Sequence, residues 1–332
     1  MGNVLDRIKA HARGNSPSTP GASSRSARRS APAHRITTGT GTEVPAKYIR
    51  YRNAEGWMPT PVQAVRMFLM GEPGHGKTTF CMSNPSAWIL DADGTCNDVT
   101  GGRARYWKCA TLSDYIALIE DLVADGQAGR PPCAHVVFDT FDKFLELVLP
   151  YLTDQVNATL KTPIDSITDY GQRGKGWFKV RDLMVGWLTD LAAAGYGWTV
   201  TGHVQETIAV TGDVVTRTHK PVLPPSIIAA LFRDAYYIGR ISRHAVTSQR
   251  QTGTRTRTVQ GKAVERPVYA TTTTDQYLLQ FSTVPGAADE WPTKARYLDR
   301  LPSEIMVEGP AGWDAFAAAY TAATRQEESP NV

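Results

Sequence analysis

The sequence predicts an α/β protein in which helices flank a mostly parallel sheet. Between residues 65 and 206, short apolar runs alternate with segments of helical periodicity, and a glycine-rich turn follows the first run. Uninterrupted apolar runs are typical of strands buried on both faces of a parallel sheet, and the helices between them supply the crossovers. After residue 206, alternating and threonine-rich stretches predict a β-rich C-terminal extension.

The predicted elements follow one another in a regular order. Strands are predicted where short apolar runs occur, at 65–70, 86–93, 104–109, 134–140 and 196–206. Helices are predicted where apolar residues recur at helical spacing, at 112–126, 141–152 and 171–195. Farther on, we expect a hairpin at 207–219, a helix and a strand within 224–241, strands with turns at Gly253 and Gly261 within 242–283, and a last helix at 312–324.

Composition divides the chain into four regions. Residues 1–47 are predicted to be a disordered basic tail, because a stretch rich in Ser, Pro, Gly and Arg buries too little apolar surface to offset its ordering entropy. We expect order to begin near residues 48–57. Residues 48–242 are predicted to form the core, residues 243–325 the extension with a basic loop and a terminal helix, and residues 326–332 a polar tail.

Composition also excludes several classes of protein. Hydrophobic residues make up 42% and charged residues 20% of the chain, which is typical of soluble globular proteins. No apolar run approaches the roughly 18 residues of a membrane helix, and the first residues lack the apolar segment of a secretory signal. These features predict no membrane partner. Cys81, Cys96, Cys109 and Cys133 have no metal-binding or CxxC spacing, so we expect free thiols in a reducing cytoplasm.

The clearest chemical signal is the sequence GEPGHGKT, which fits the phosphate-binding loop pattern G-x-x-x-x-G-K-[ST]. It follows an apolar strand and opens a helix, which is the context that the motif requires. We expect Lys77 to reach the β and γ phosphates of ATP and the Thr78 hydroxyl to bind Mg²⁺. The predicted nucleotide-binding residues are Gly71, Glu72, Pro73, Gly74, His75, Gly76, Lys77, Thr78 and Thr79.

Polar side chains at the ends of three other predicted strands are candidates for the chemistry of hydrolysis. Asp139 ends HVVFD and is the predicted metal acid, with Asp142 as an alternative and a helix cap as the other explanation. Asp91 and Asp93 end WILDAD, and one of them is expected to face the γ-phosphate and activate water. His203 ends a further strand, where a polar residue could sense the γ-phosphate.

Basic residues cluster at two places that do not form a helix face. Residues 1–60 hold ten Lys and Arg against three Asp and Glu, and residues 240–266 hold seven against Glu265 alone. Such segments are either solvated or in contact with a phosphate backbone. The second segment has no interleaved aromatic residue, which favours phosphate contact over base stacking. Its candidate residues for nucleic acid are Arg243, His244, Arg250, Arg255, Arg257 and Lys262.

The order of these motifs resembles that of phage-encoded RecA-like P-loop ATPases of the AAA-type phage nucleotide-binding group. The resemblance covers about residues 60–242: the P-loop, then LDADG, VVFDT and the segment from DYGQRGKGW to TGHVQE. The group includes single-strand annealing recombinases with a shortened RecA/RadA core. The resemblance therefore implies a RecA-like sheet, ATP hydrolysis with Mg²⁺, binding of single-stranded DNA and assembly into a ring or filament.

The resemblance also implies roles for particular residues. Asp93 stands where these proteins carry the catalytic carboxylate, although they usually have Glu, which is longer by one methylene. Asp139 matches the Walker B acid, and His203 the polar sensor. Arg217 and Lys220 are candidates for the basic residue that one subunit donates to its neighbour. A single-strand-binding protein is a further expected partner, and the cytoplasm of a bacterial host the expected location.

The sequence thus predicts an ATPase that acts on single-stranded DNA in recombination. A nucleotide-switched protein accessory to replication or packaging is the first alternative. A small-molecule kinase is less favoured because no arginine-rich lid is evident. A helicase is less favoured because the chain is too short for the extra domains that a standalone helicase carries.

Overall fold

The structure is a computed structural model of the 332-residue chain. It describes residues 60–172, 174–211, 214–259, 262–281, 289–290, 292–296, 300–307 and 309–325. The predicted tails at 1–47 and 326–332, and the predicted start of order near 48–57, lie outside these ranges.

Strands and helices alternate through the first two thirds of the described chain. The strands are β1 (Arg66–Met70), β2 (Ala87–Asp91), β3 (Arg105–Trp107), β4 (His135–Asp139), β5 (Gly197–Gly202), β6 (Val204–Thr211), β7 (Val214–Pro221), β8 (Tyr237–Val259), β9 (Lys262–Gln280), β10 (Asp289–Glu290) and β11 (Glu304–Met306). The helices are α1 (Lys77–Met82), α2 (Leu112–Gln127), α3 (Phe141–Asn157), α4 (Lys175–Ala193), α5 (Pro225–Asp234) and α6 (Gly312–Arg325). Short 3₁₀ turns lie at Val62–Ala64, Cys96–Asp98, Ile167–Asp169 and Gly309–Ala311.

The central sheet has the order β11-β9-β8-β1-β5-β4-β2-β3. The six strands from β8 to β3 are parallel. Strand β9 pairs antiparallel with β8, and β11 pairs antiparallel with β9, so these two strands extend one edge. The predicted α/β fold with a mainly parallel sheet is therefore confirmed. Strand β5 lies between β1 and β4, so the side chains after those three strands meet at one edge of the sheet.

Helices cover both faces of this sheet. On one face, α1 and α6 pack over the apolar residues of β1, β2, β8 and β9. On the other, aromatic side chains of β4, α3 and α4 form a cluster, in which the rings of Phe138 and Trp187 stack at 6.2 Å and Phe144 lies edge-on to both. Among the described residues, no helix combines the length and apolarity needed to cross a bilayer.

The strand predicted at 196–206 is in fact two strands in different sheets. Strand β5 ends at Gly202, and β6 begins at Val204 and pairs with β7 in a three-stranded sheet of order β10-β7-β6. His203 lies at the break, and its backbone N–H donates to Oδ1 of Asp142 at 3.1 Å. Polar residues continue to alternate with Trp, Val and Gly from residue 198 to residue 205, across the break, so local periodicity could not reveal it.

The turn predicted at Gly253 is wrong. Strand β8 runs through this glycine without reversing, and the register with β9 shifts there, between Gln251 and Gly253, as a β-bulge. Glycine within a strand often marks such a bulge because an extra residue must be fitted into one strand. The predicted boundary at 242/243 also falls inside β8, which begins in the sheet and continues outward. Gly261 lies outside the described residues.

The part of the chain after residue 267 completes the core. Strands β9 and β11 extend the sheet, and α6 packs on α1 through Trp313 and Phe316, whose rings lie 5.8 and 6.4 Å from that of Phe80. The backbone N–H of Trp313 donates to Oγ of Ser83 at 2.7 Å, and Arg103 pairs with Asp314 at 2.8 Å. The last helix therefore supports the helix that follows the glycine-rich turn.

A buried histidine joins three elements behind the sheet edge. His135 opens β4, and its Nδ1 donates to the carbonyl of Gln63 at 2.9 Å while Nε2 accepts from Oγ1 of Thr199 at 2.8 Å. Both ring nitrogens are thus satisfied in the neutral form. Burial lowers the pKa of His135 to about 4, against the opposing hydrogen bond to Gln63.

This pKa predicts acid sensitivity of the fold. The unfolded chain binds a proton at His135 near pH 6.5, the folded chain only near pH 4. Stability from this residue is therefore complete above pH 6.5 and is lost as the pH falls toward 4, by about 2 kcal/mol between pH 7 and 5. Urea unfolding should show that loss in the wild type and in His244→Gln, whose histidine is exposed. His135→Gln should lack it; an equal loss in this variant would contradict the assignment.

Candidate active site

The glycine-rich turn connects β1 to α1 and bends closely around its neighbours. Gly76 has φ +88°, and a Cβ atom there would lie 2.7 Å from Cδ1 of Tyr277 on β9. A Cβ at Gly71 would lie 2.7 Å from the carbonyl oxygen of Ile241 on β8. Both positions therefore require glycine, and β8 and β9 form the wall against which the turn is packed.

The Lys77 ammonium lies within the turn. Although Lys77 is only 5% exposed, its Nζ donates to the carbonyls of Gly71 and Glu72, each at 2.9 Å. Burial lowers the pKa of Lys77, and this effect is opposed by three nearby carboxylates, those of Asp139, Asp142 and Asp93. The Lys77 ammonium is thus fixed at the start of α1, where backbone N–H groups also favour binding of an anion.

A chain of three side chains fixes α1 to the neighbouring strands. Thr78 Oγ1 donates to Oδ2 of Asp139 at 2.8 Å, and Thr201 Oγ1 donates to Oδ1 at 2.5 Å. Asp139 is fully buried, and burial raises its pKa although both hydroxyls and Lys77 oppose the shift. A hydroxyl in contact with a buried carboxylate offers two oxygen ligands that suit Mg²⁺. A cation bound there would compensate the buried negative charge of Asp139.

Asp91 and Asp93 occupy different environments after β2. Asp91 is fully buried, and its two oxygens accept the backbone N–H groups of Gly94 and Cys96 at 2.6 and 3.2 Å. Asp93 is half-buried, and its N–H donates to the carbonyl of Asp139 at 3.2 Å. Asp91 therefore shapes the turn, while the backbone of Asp93 lies beside Asp139 and its carboxylate accepts neither of these two hydrogen bonds. This difference favours Asp93 as the candidate base.

Asp91, Cys96 and Asp139 bring potential metal-binding atoms within 4.8 Å of one another. Burial raises the pKa of the Cys96 thiol far above its usual value, and the charges of Asp139 and Asp91 add to the effect. A thiol binds metal as the thiolate, and the oxygens of Asp91 already accept backbone hydrogen bonds. Thr78 and Asp139 remain the better-fitting pair.

Sequence reasoning missed the partner of His203. The Nδ1 atom of His203 lies 2.8 Å from Oδ2 of Asp142, and both oxygens of this carboxylate contact His203. Burial alone would raise the pKa of Asp142, but the hydrogen bonds and charge of His203 hold it below its usual value. Asp142, the alternative metal ligand, thus contacts His203 instead. In the sequence, the only local signal for this contact was the spacing of three residues between Asp142 and Asp139.

The remaining loop residues lie at the mouth of the site. Glu72, Pro73 and Gly74 are exposed, whereas Thr79 is half-buried on α1. His75 Nε2 lies 3.6 Å from a carboxylate oxygen of Glu72. Burial lowers the pKa of His75, Glu72 opposes this shift, and the cations Lys77, Arg240 and Arg243 add to it. His75 is therefore in the positive field that surrounds the turn.

The other candidate residues lie on β-ribbons. Arg217 and Lys220 are exposed on β7, and Arg217 pairs with Glu206 across the hairpin at 3.2 Å. Arg243 is exposed near the start of the outward part of β8 and pairs with Asp275 at 2.6 Å. Arg250 and Arg255 are exposed farther along the same strand. Arg257 and Lys262 belong to β8 and β9, but their side chains lie outside the described part.

Comparison with known proteins identifies a family for most of the chain. The profile of the family described as AAA domain matches residues 63–274. Among solved structures, the chain is similar to the flagellar accessory protein FlaH from Methanocaldococcus jannaschii, with 10% identity, a TM-score of 0.30, and coverage of 75% of this chain and 88% of that one. No curated protein matches the sequence.

The contact between Asp142 and His203 predicts a stability effect at the site. Asp142→Ala removes the acceptor for two N–H groups, which should lower the free energy of unfolding by about 1–3 kcal/mol. Asp142→Asn retains one acceptor and should lose less. Denaturant unfolding measures both, with Asp154→Ala as the control because Asp154 is exposed on the same helix. Equal stabilities for Asp142→Ala and the control would show that the contact contributes nothing.

Proposed function

The chain belongs to the AAA domain family of P-loop NTPases, and on that premise we propose that it hydrolyses ATP to control its assembly on single-stranded DNA during recombination. The observation that carries the nucleotide part is the 2.8 Å hydrogen bond between Thr78, in the first turn of α1, and Asp139 of β4. This contact supports the proposal because enzymes of this type need a phosphate cradle and a metal-binding acid side by side, and Thr78 and Asp139 are the candidates for these two parts.

The residues of the site divide the work of hydrolysis. Lys77 would leave the carbonyls of Gly71 and Glu72 to contact the β and γ phosphates, and Thr78 and Asp139 would hold Mg²⁺, which neutralises phosphate charge when bound. Asp93 would accept a proton as a water oxygen bonds to the γ-phosphorus. The bond from that phosphorus to the bridging oxygen then breaks, which releases ADP and phosphate.

His203 is suited to report the state of the nucleotide. It follows Gly202, whose carbonyl accepts the N–H of Gly71 at 3.4 Å, so the first residue of the cradle and the sensor strand are in contact. Its ring is oriented by Asp142, and the β6–β7 hairpin begins immediately after it. A contact between His203 and a γ-phosphate would thus be transmitted to that hairpin.

Single-stranded DNA is supported as the partner by the sequence resemblance and by charge. The β6–β7 hairpin and the outward part of β8 and β9 both carry exposed cations, which suit a phosphate backbone. Assembly into a ring or filament would place Arg217 or Lys220 of one subunit at the nucleotide of the next. A single-strand-binding protein is a further proposed partner in the cytoplasm of a bacterial host.

The alternatives predict different responses. A nucleotide-switched accessory protein of replication or packaging would bind ATP with little turnover, and a small-molecule kinase would transfer phosphate to an acceptor. The exposed cations of β8 (Arg243, Arg250 and Arg255) favour the DNA-dependent ATPase, because neither a nucleotide switch nor transfer of phosphate to a small acceptor requires them.

Replacement of the P-loop lysine tests the nucleotide site. Lys77→Ala should reduce ATP hydrolysis by at least about 100-fold, because the cation that stabilises charge on the transferring phosphate is removed. Phosphate release measures the rate, and far-UV circular dichroism measures the fold. Lys161→Ala is the control, since Lys161 is an exposed lysine elsewhere on the chain. Hydrolysis that survives Lys77→Ala at the control's rate would refute the site.

Response to DNA tests the proposed function as a whole. The rate of ATP hydrolysis should rise severalfold when single-stranded DNA is added, because DNA is proposed to organise the subunits and complete each site. Transfer of phosphate to a small acceptor would instead identify a kinase. ATP binding with neither stimulation nor transfer would identify the nucleotide switch, and each of these two results would overturn the proposal.

A further inference from the structure

Strands β8 and β9 leave the central sheet and continue as a two-stranded arm, here defined as residues 243–277. The ladder is continuous from the pair Arg243 and Tyr277 to the pair Val259 and Lys262, apart from the bulge. Seventeen residues of β8 span about 50 Å at the usual rise per residue. Every described side chain at 243–255 and 267–275 is exposed. A bare ribbon with two uncovered faces is marginally stable in water, which indicates that a partner covers it.

The bulge determines which residues share a face of the arm. Arg250 is opposite Ala270, and Arg255 is opposite Arg266. Positions 270 and 266 are four residues apart on the regular strand β9, so they lie on one face, and so do their partners. Arg250 and Arg255 are five residues apart, a spacing that would put them on opposite faces of a regular strand, and the bulge is what brings them to the same face.

The two faces consequently differ in charge. His244, Arg250 and Arg255 lie on one face, which we call the basic face, together with Val246, Ser248, Val268, Ala270, Thr272 and Thr274. Among the described side chains of the arm, the basic face carries no carboxylate. The other face, the neutral face, has Arg243 paired with Asp275 and otherwise Ala, Thr, Gln, Pro and Tyr side chains.

We propose that the basic face of the arm is a binding surface for the phosphate backbone of single-stranded DNA. The inference rests on the proposed function and specifies which surface binds the strand. Arg250 and Arg255 are four rungs apart, or about 14 Å along the arm, so they contact different phosphates of one strand. Threonine and serine hydroxyls beside them donate to phosphate oxygens. The described part of the basic face offers no Phe, Tyr or Trp ring to stack on a base, so we expect binding that does not depend on sequence.

The base of the arm lies against the nucleotide site. The Tyr277 ring covers Gly76, and the charge of Arg243 is one of those that lower the pKa of His75. The strands that bind DNA at one end are thus the same strands that form the wall of the P-loop at the other. A strand bound along the basic face is therefore attached directly to the wall of the ATP site.

A salt titration of the full chain tests the proposal. The probe is a fluorescein-labelled oligothymidylate, and its affinity is measured by anisotropy between about 50 and 200 mM KCl. For Arg250→Gln with Arg255→Gln, the slope of log Kobs against log salt should become shallower by about 1.4, or about 0.7 for each lost phosphate contact. Circular dichroism verifies that this variant remains folded.

A charge-matched variant separates the face from net charge. Gln249→Arg with Thr254→Arg, made in the Arg250→Gln and Arg255→Gln background, restores both charges but places them on the neutral face, since positions 249 and 254 pair with Thr271 and Pro267. This variant should remain as weak as its parent. Deletion of Thr252 removes the bulge and leaves Arg250 and Arg255 four residues apart on a regular strand, so Arg255 should stay opposite position 266 on the basic face and the slope should match that of the wild type.

The outcomes distinguish the two proposals. If the wild type binds the oligonucleotide and the doubly substituted variant has the same slope, the arm proposal is wrong while the proposed function stands. Full recovery by the relocated arginines would also overturn it, because net charge alone would then explain binding. A wild type that binds no oligonucleotide would refute the proposed function, and the uncovered arm would then be a surface for a protein partner.

Discussion

One buried carboxylate holds the site together. Asp139 receives hydroxyl hydrogen bonds from Thr78 on α1 and Thr201 on β5, while its backbone carbonyl accepts two N–H groups from the turn after β2. Burying a carboxylate is costly unless hydrogen bonds satisfy it. This cost favours a fold in which α1 and β5 converge on Asp139. The positions of α1 and β5 depend on the carboxylate of Asp139, and the position of Asp93 depends on its backbone carbonyl.

Local sequence signals predicted the parts of the fold that are locally encoded. The runs at 67–70 and 136–138 are apolar throughout because both faces of those strands are buried, and the glycine-rich turn is specified by its own backbone geometry. The break at His203 was not predictable in this way, because the hydrogen bond that its backbone N–H donates to Oδ1 of Asp142, 61 residues away, helps to set it. The roles of Asp93 and His203 stay predictions, although the structure places both residues next to the P-loop assembly.

Strand β8 shows how one strand can serve two environments. Tyr237 and Ile241 are buried within the sheet, whereas the residues from Arg243 to Arg255 are exposed threonines, glutamines and arginines with few apolar side chains. The sequence indicated β structure on both sides of residue 243 but could not show that it was a single strand. Glycine interrupts a strand pattern in the same way at a turn and at a bulge, so the sequence does not distinguish the two at Gly253.

The packing of α6 on α1 has a consequence for synthesis. Phe80, in the helix that follows the P-loop, contacts Trp313 and Phe316, which the ribosome adds more than 200 residues later. At typical elongation rates this interval lasts roughly 10 to 50 s. During that time the apolar side of the P-loop helix lacks its cover on the nascent chain, where a chaperone could bind it. The capacity to hold a nucleotide would thus appear late in translation, although its motif is made early.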